Sequence, residues 1–260
     1  MDLELDGSAA LVLASSSGLG FASAEALARE GADVAICGRD EDRLAEARDD
    51  LAGVGDGDVL AVQADITVAD DVERLVDEPV ETFGGLDHLV TSAGGPPSGP
   101  FLDTDDEDWQ SAYDLLVMSV VRATREAYPH LSDGGGSIVN ITSRSVQEVI
   151  DGLVLSNSVR RAVIGLMKTQ AREFAPEVRV NAVLPGAHET SRIEELIEQS
   201  VDRGEFDSYE EGRADWSEGV PLERVGDPAE LGEAVAYLCS ERASYITGAA
   251  IPIDGGSLRS

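Results

Sequence analysis

The residues best placed to do chemistry are Ala14-Ser15-Ser16-Ser17-Gly18-Leu19-Gly20. A short apolar run precedes them and a stretch of helical period follows. A small-residue turn between strand and helix exposes backbone N–H groups and a helix N-terminus, which together favour a phosphate. Gly18 and Gly20 alone are equally compatible with an ordinary tight turn; the flanking strand and helix favour the phosphate reading. The three histidines, His88, His130 and His188, show no ligand spacing, so no metal is expected. Cys37 and Cys239 lie far apart in apolar runs, which points to reduced core thiols rather than a disulfide or a zinc site.

Such a turn needs a strand and a helix to hold it, and the rest of the chain supplies them repeatedly. Short Val, Ile and Ala runs alternate with longer stretches of helical period, the pattern of a parallel sheet covered by helices on both faces. Strands are expected at 9–13, 33–37, 59–63, 88–92, 137–141, 179–184 and 250–253. Helices are expected at 19–30, 41–51, 69–83, 106–130, 157–174 and 228–239. The implied fold is α/β, a doubly wound, seven-stranded, Rossmann-type parallel sheet in a single domain over residues 1–260. Two segments break the alternation: the Gly/Pro loop 94–100, and an acidic insertion at about 187–220 with one helical patch at 193–201. Both follow strands whose carboxyl ends face the ligand side of such a sheet. Phe206, Tyr209 and Trp216 suggest that the insertion is a partly apolar lid, or equally that they anchor it to the core.

The chain has 51 acidic against 19 basic residues and a net charge of -32. Lys168 is its only lysine. This balance argues against a nucleic-acid partner. The acids are spread along the chain, as suits a halophilic cytoplasm, where molar salt shortens screening to roughly 3 Å. No run approaches the roughly 20 apolar residues of a membrane span, and the acidic N-terminus lacks a signal-peptide pattern. A cytoplasmic protein is expected.

Several segments, in order and spacing, resemble the short-chain dehydrogenase/reductases. Ser16, Ser17, Gly18, Leu19 and Gly20 stand in that family's Thr-Gly-x-x-x-Gly-x-Gly turn, with Leu13 and Ala14 replacing its Thr and first Gly. Asp65-Ile66 follows the third strand where the family has an adenine-contacting Asp. Thr91-Ser92-Ala93-Gly94 stands for Asn-Asn-Ala-Gly, and Pro185-Gly186 with Thr190 for Pro-Gly-x-x-x-Thr. Ile246-Thr247-Gly248 and Ile253-Asp254-Gly255-Gly256 complete the likeness. The resemblance implies a nicotinamide dinucleotide held by these residues, a small carbonyl or alcohol substrate, and a homo-oligomer, tetramer or dimer. Gly38 occupies the family's NAD-selecting acidic position, and the guanidinium of the next residue, Arg39, suits a 2'-phosphate. NADP(H) is therefore favoured over NAD(H). Arg39 instead capping its strand or pairing with Asp40 or Asp42 is the alternative.

The same resemblance assigns catalysis to a Ser, a Tyr, a Lys and an Asn. Ser143 fits the Ser, but Ser156 stands for the Tyr, Arg160 for the Lys and Leu116 for the Asn, with Ser119 one turn on. A serine hydroxyl is a far weaker acid than a phenol, whose pKa is about 10, and is shorter. Arg160 keeps a charge that can hold the cofactor ribose or stabilise an alkoxide, yet it does not give up its proton. Arg144 and His188 are the nearest substitutes by sequence, although a solvated loop position suits His188 better. The expected function is a carbonyl or 3-oxoacyl reductase with an altered proton donor. A catalytically silent nucleotide-binding protein is the alternative.

Overall fold

The computed structural model describes residues 2–259. Seven parallel strands, β1 (Ala9–Val12), β2 (Asp33–Gly38), β3 (Val59–Gln63), β4 (His88–Thr91), β5 (Gly136–Ile141), β6 (Val178–Pro185) and β7 (Ala250–Ile253), form one sheet in the order β3-β2-β1-β4-β5-β6-β7. The expected sheet is present, with strand ends displaced by at most one residue.

Alternate strand residues feed two cores. Ala10, Val12, Ile36, Val90, Val139 and Val183 face α1 (Gly18–Arg29), α2 (Glu41–Leu51) and α9 (Pro228–Cys239), whose Leu27, Leu44, Leu51 and Leu231 pack against them. Leu11, Ala35, Leu89, Ile138 and Val180 face α3 (Ala69–Phe83), α5 (Ser119–Leu131) and α6 (Val154–Glu173) through Leu75, Ala123, Leu131 and Met167. The strands read as continuous apolar runs because both their faces are covered.

The single helix expected over 106–130 is in fact three pieces: α4 (Asp106–Tyr113), one π-helical turn (Asp114–Met118) and α5. One extra residue enters the turn, Ser119 Oγ donates back to Leu115 O at 2.5 Å, and the break turns Leu116 into a third apolar cluster with Leu155 and Val159 of α6. Inserted turns of this kind often accompany functional sites. The insertion at 187–220 also departs from expectation. It holds two helices, α7 (Ser191–Asp202) and α8 (Tyr209–Glu218), the second started by Ser208 accepting from Glu211 N. Gly212 allows them to meet, since a Cβ there would lie 2.8 Å from Ile197 Cγ2. No described helix is long and apolar enough to cross a membrane.

Candidate active site

The strand order reverses between β1 and β4, and the loops leaving β1, β4, β5 and β6 meet there. The β1 turn has the expected geometry. Ser17 is an extended N-cap of α1 whose side chain makes no capping bond, so its hydroxyl and the first helical N–H groups are free for an anion. Gly18 has φ 61°, a left-handed value, and a Cβ on Gly20 would sit 2.5 Å from Ala14 O. Only glycine fits at Gly20. Ala14, where the resembled pattern has glycine, itself adopts φ 47° and donates its N–H to Cys37 Sγ at 3.2 Å. Across the cleft, Thr190 Cγ2 lies 3.7 Å from where a Cβ on Gly18 would be. The loops after β1 and β6 therefore face each other, as a shared ligand requires.

At the end of β2, a Cβ on Gly38 would meet Ser16 Oγ at 2.8 Å. Ser16 thus takes the room that an acidic side chain at that position would need. Arg39 is exposed, and among the described residues its side chain makes no ion pair, with Asp40 and Asp42 included. Asp40 instead caps α2 by accepting from Arg43 N. Asp65 Oδ1 accepts from the N–H and hydroxyl of Thr67, at 2.9 and 2.7 Å, which leaves Oδ2 for a ligand. Ile66 is buried, so only its backbone can reach the cleft.

Ser143, Ser145, Ser156 and Arg160 lie beyond β5, in an arrangement the sequence did not foretell. Ser143 Oγ accepts from Ser145 N at 3.1 Å. Ser145 is fully buried, and its Oγ lies 3.3 Å from Ser156 Oγ, so the immediate partner of Ser156 is Ser145 rather than Ser143. Arg160, one helical turn after Ser156, extends Nη1 to Thr142 O at 3.4 Å and Nη2 to Gly94 O at 3.2 Å. Its Nε is buried without an acceptor. Burial, followed by the positive charge of Arg192, pulls the Arg160 pKa down to about 10. The guanidinium remains charged at neutral pH, and no carboxylate of the described residues pairs with it.

Arg192 had not been singled out. Its Nη2 donates to Pro96 O at 2.8 Å, its Nη1 lies 3.3 Å from Glu195 Oε2, and its guanidinium covers Gly95, where a Cβ would be 2.5 Å from Nε. One signal was present: a cation in the first turn of a helix sits at the unfavourable end of the helix dipole. Ser98 Oγ donates to Gln199 Oε1 at 2.5 Å, a second link between the Gly/Pro loop and the lid. A cavity of about 200 Å³ lies between them, lined among others by Ser98, Ile150, Leu153, Leu196 and Trp216. Of the three lid aromatics, Trp216 faces it, whereas Phe206 packs on Gly212 inside the lid.

His188 is not a solvated loop residue. It is 3% exposed, with Nδ1 3.2 Å from Gly186 O and the ring against Gly226, and burial pushes its pKa down. None of its hydrogen bonds connects it to Ser143, Ser156 or Arg160. Cys37 and Cys239 are both buried free thiols, pushed up to about 12 and about 11. Among the described residues no cluster of three or more His, Cys, Asp or Glu side chains could hold a metal ion.

Residues 13–257 match the family described as "Enoyl-(Acyl carrier protein) reductase". The chain belongs to the short-chain dehydrogenase/reductase family. It is 34% identical to glucose 1-dehydrogenase of Gluconobacter oxydans over 96% of this chain and 91% of that one. It is 35% identical to human dehydrogenase/reductase SDR family member 4 over 95% and 86%, respectively. Among solved structures of the family, L-sorbose reductase from Gluconobacter frateurii, complexed with NADPH and L-sorbose, matches over 100% of both chains with 33% identity and a TM-score of 0.94. An actinorhodin polyketide ketoreductase with NADPH gives 31% identity, 96% and 97% coverage and a TM-score of 0.91.

Proposed function

We propose that the protein is a NADP(H)-linked reductase of small carbonyl compounds with an altered proton donor. The observation that carries this reading is the unpaired, exposed Arg39 beside a Gly38 that Ser16 keeps free of any acid. A guanidinium fork recognises a 2'-phosphate, whereas the ribose hydroxyls would require a carboxylate. Ser17, Gly18, Leu19 and Gly20 offer N–H groups to the diphosphate, Asp65, Ile66, Ala93 and Gly94 the adenosine side, and Pro185, Gly186 and Thr190 the nicotinamide side. The NADPH seen in two of the matched structures supports the same choice.

When bound, NADPH supplies the hydride, two electrons with one proton. The chain must then orient the carbonyl and deliver the second proton to its oxygen. In this reading Ser143 Oγ, which accepts from Ser145 N, donates its own proton in a hydrogen bond to that oxygen, and the charge on Arg160 stabilises the developing alkoxide. Neither Ser156 nor Arg160 is assigned the proton: the Ser156 hydroxyl is buried against Ser145, away from solvent that could replace its proton, and Arg160 holds its proton below about pH 10. Water held near Ser143 supplies it. The second reading, a silent nucleotide-binding protein, is favoured by Ser156 lying buried, its hydroxyl 3.3 Å from Ser145 Oγ. Assembly with further copies fits β7, an outermost strand whose Ile251, Pro252 and Ile253 are not buried within the chain.

Titration with NADPH and NADH in molar KCl, followed by a panel of ketones and 3-oxoacyl thioesters, tests this. Tighter binding of NADPH with turnover is expected. Binding without turnover selects the silent reading, and failure to bind either nucleotide removes both.

A further inference from the structure

We propose that Arg160 and Arg192 form a seat for a small carboxylate, so that the substrate is an oxo acid or its hydroxy-acid partner; this extends the reductase reading to a substrate class. Arg160 rises from α6 and bonds Gly94 O, while Arg192 descends from the lid onto Gly95. Two guanidiniums are thereby held over consecutive residues of one loop. Like charges this close repel, and Arg192 is one of the causes that lower the Arg160 pKa.

Nothing in the described chain neutralises the pair. Arg160 meets only the carbonyl oxygens of Thr142 and Gly94, with Nε buried and unpartnered. The only carboxylate on Arg192 is Glu195, at 3.3 Å and more than half exposed, which screens it weakly. Thr190, the N-cap of α7, makes no side-chain capping bond, so free helical N–H groups add positive potential at the same edge. A buried charge without a partner is costly, and a ligand anion removes that cost.

The position of the seat selects the anion. Arg160 Nη1 touches Thr142 O, and the next residue is Ser143, whose hydroxyl would hold the reacting carbonyl. An anion on the guanidinium pair is therefore only a few bonds from that carbonyl, as in a short oxo acid, and a carboxylate matches the guanidinium edge bidentately.

Calorimetric titration with malonate, and with neutral malonamide at the same ionic strength, tests the seat without turnover. Malonate should bind at least tenfold more tightly than malonamide, both to the free protein and to protein saturated with NADPH. Arg192→Gln should weaken malonate at least tenfold and leave malonamide unchanged. Glu195→Gln, on the exposed face of α7, should tighten malonate, and it guards against a variant that fails only through misfolding. Equal binding of the two probes, or no binding of either, overturns the seat. Malonate binding that disappears on saturation with NADPH shows that the arginines serve the cofactor phosphates and overturns the substrate assignment. If NADPH does not bind at all, the reductase reading fails by itself, and the seat is judged on the free protein.

Discussion

Arg39 shows what a single residue can decide. It directly follows β2, where we propose the adenosine ribose binds, it has no ion pair among the described residues, and the adjacent Gly38 cannot be exchanged for an acid without displacing Ser16. Arg39→Asp should therefore weaken NADPH by tenfold or more and leave NADH nearly unchanged, as binding titrations of both would reveal. Equal losses for the two would remove the 2'-phosphate contact. Much of this site could be read along the chain, because turn glycines, a strand-end cation and the Pro185-Gly186 step announce themselves locally. Ser145, Arg192 and the burial of His188 could not be read in this way. Each depends on a contact between segments separated by loops, Ser145 with Ser156, Arg192 with Pro96, His188 with Gly226. Ala14 shows a different limit: its turn demands a left-handed residue, and the sequence supplies one that adopts that conformation at a cost of about 1 kcal/mol.

At the scale of elements, the strands were legible because burial on both faces leaves an unbroken apolar run. The π-helical turn was not, since one inserted residue barely disturbs the apolar period of a long helix while rotating Leu116 toward α6. Nor was α8, a short acidic helix that exists because Gly212 lets Ile197 and Phe206 close on it. The β4–β5 pairing contains a titratable group, His88, whose Nδ1 lies 3.0 Å from Ser137 Oγ. Burial depresses its pKa from 6.5 to about 4 against the partial opposition of Asp87. The folded state thus binds fewer protons than the unfolded chain between these values. Stability from this group is complete above pH 6.5 and is lost as the pH falls toward 4, by at most about 3 kcal/mol. Denaturant unfolding across that range should show the decline, and His88→Gln should reduce it, the remainder coming from His188, depressed in the same direction, and from carboxyls such as Glu230 that Arg224 holds down to about 2. An unchanged slope in His88→Gln would place the titration elsewhere.

For the molecule as a whole, charge is the dominant fact. A net charge of -32 distributed along the chain works against compaction in dilute buffer, and ion pairs do little to offset it. The pairs present, such as Arg29–Glu25 and Arg213–Glu189, are solvent-exposed, and pairs of this kind contribute about 0–1 kcal/mol each. We propose that salt in the solvent supplies the relief. The screening length falls from about 10 Å at 0.1 M salt to roughly 3 Å at 1 M. The melting temperature should therefore fall steadily as KCl is diluted from molar to 0.1 M, and the denaturant midpoint should fall with it. If the melting temperature stays level or rises on dilution, self-repulsion is not limiting the fold and the acidic surface needs a different cause. The same dilution should strengthen malonate at the Arg160–Arg192 pair for as long as the fold persists, because attraction within the seat is screened by the very ions that hold the surface together. Opposite salt dependences of stability and of anion binding, measured on one preparation, would separate the global charge of the molecule from the local charge of its site.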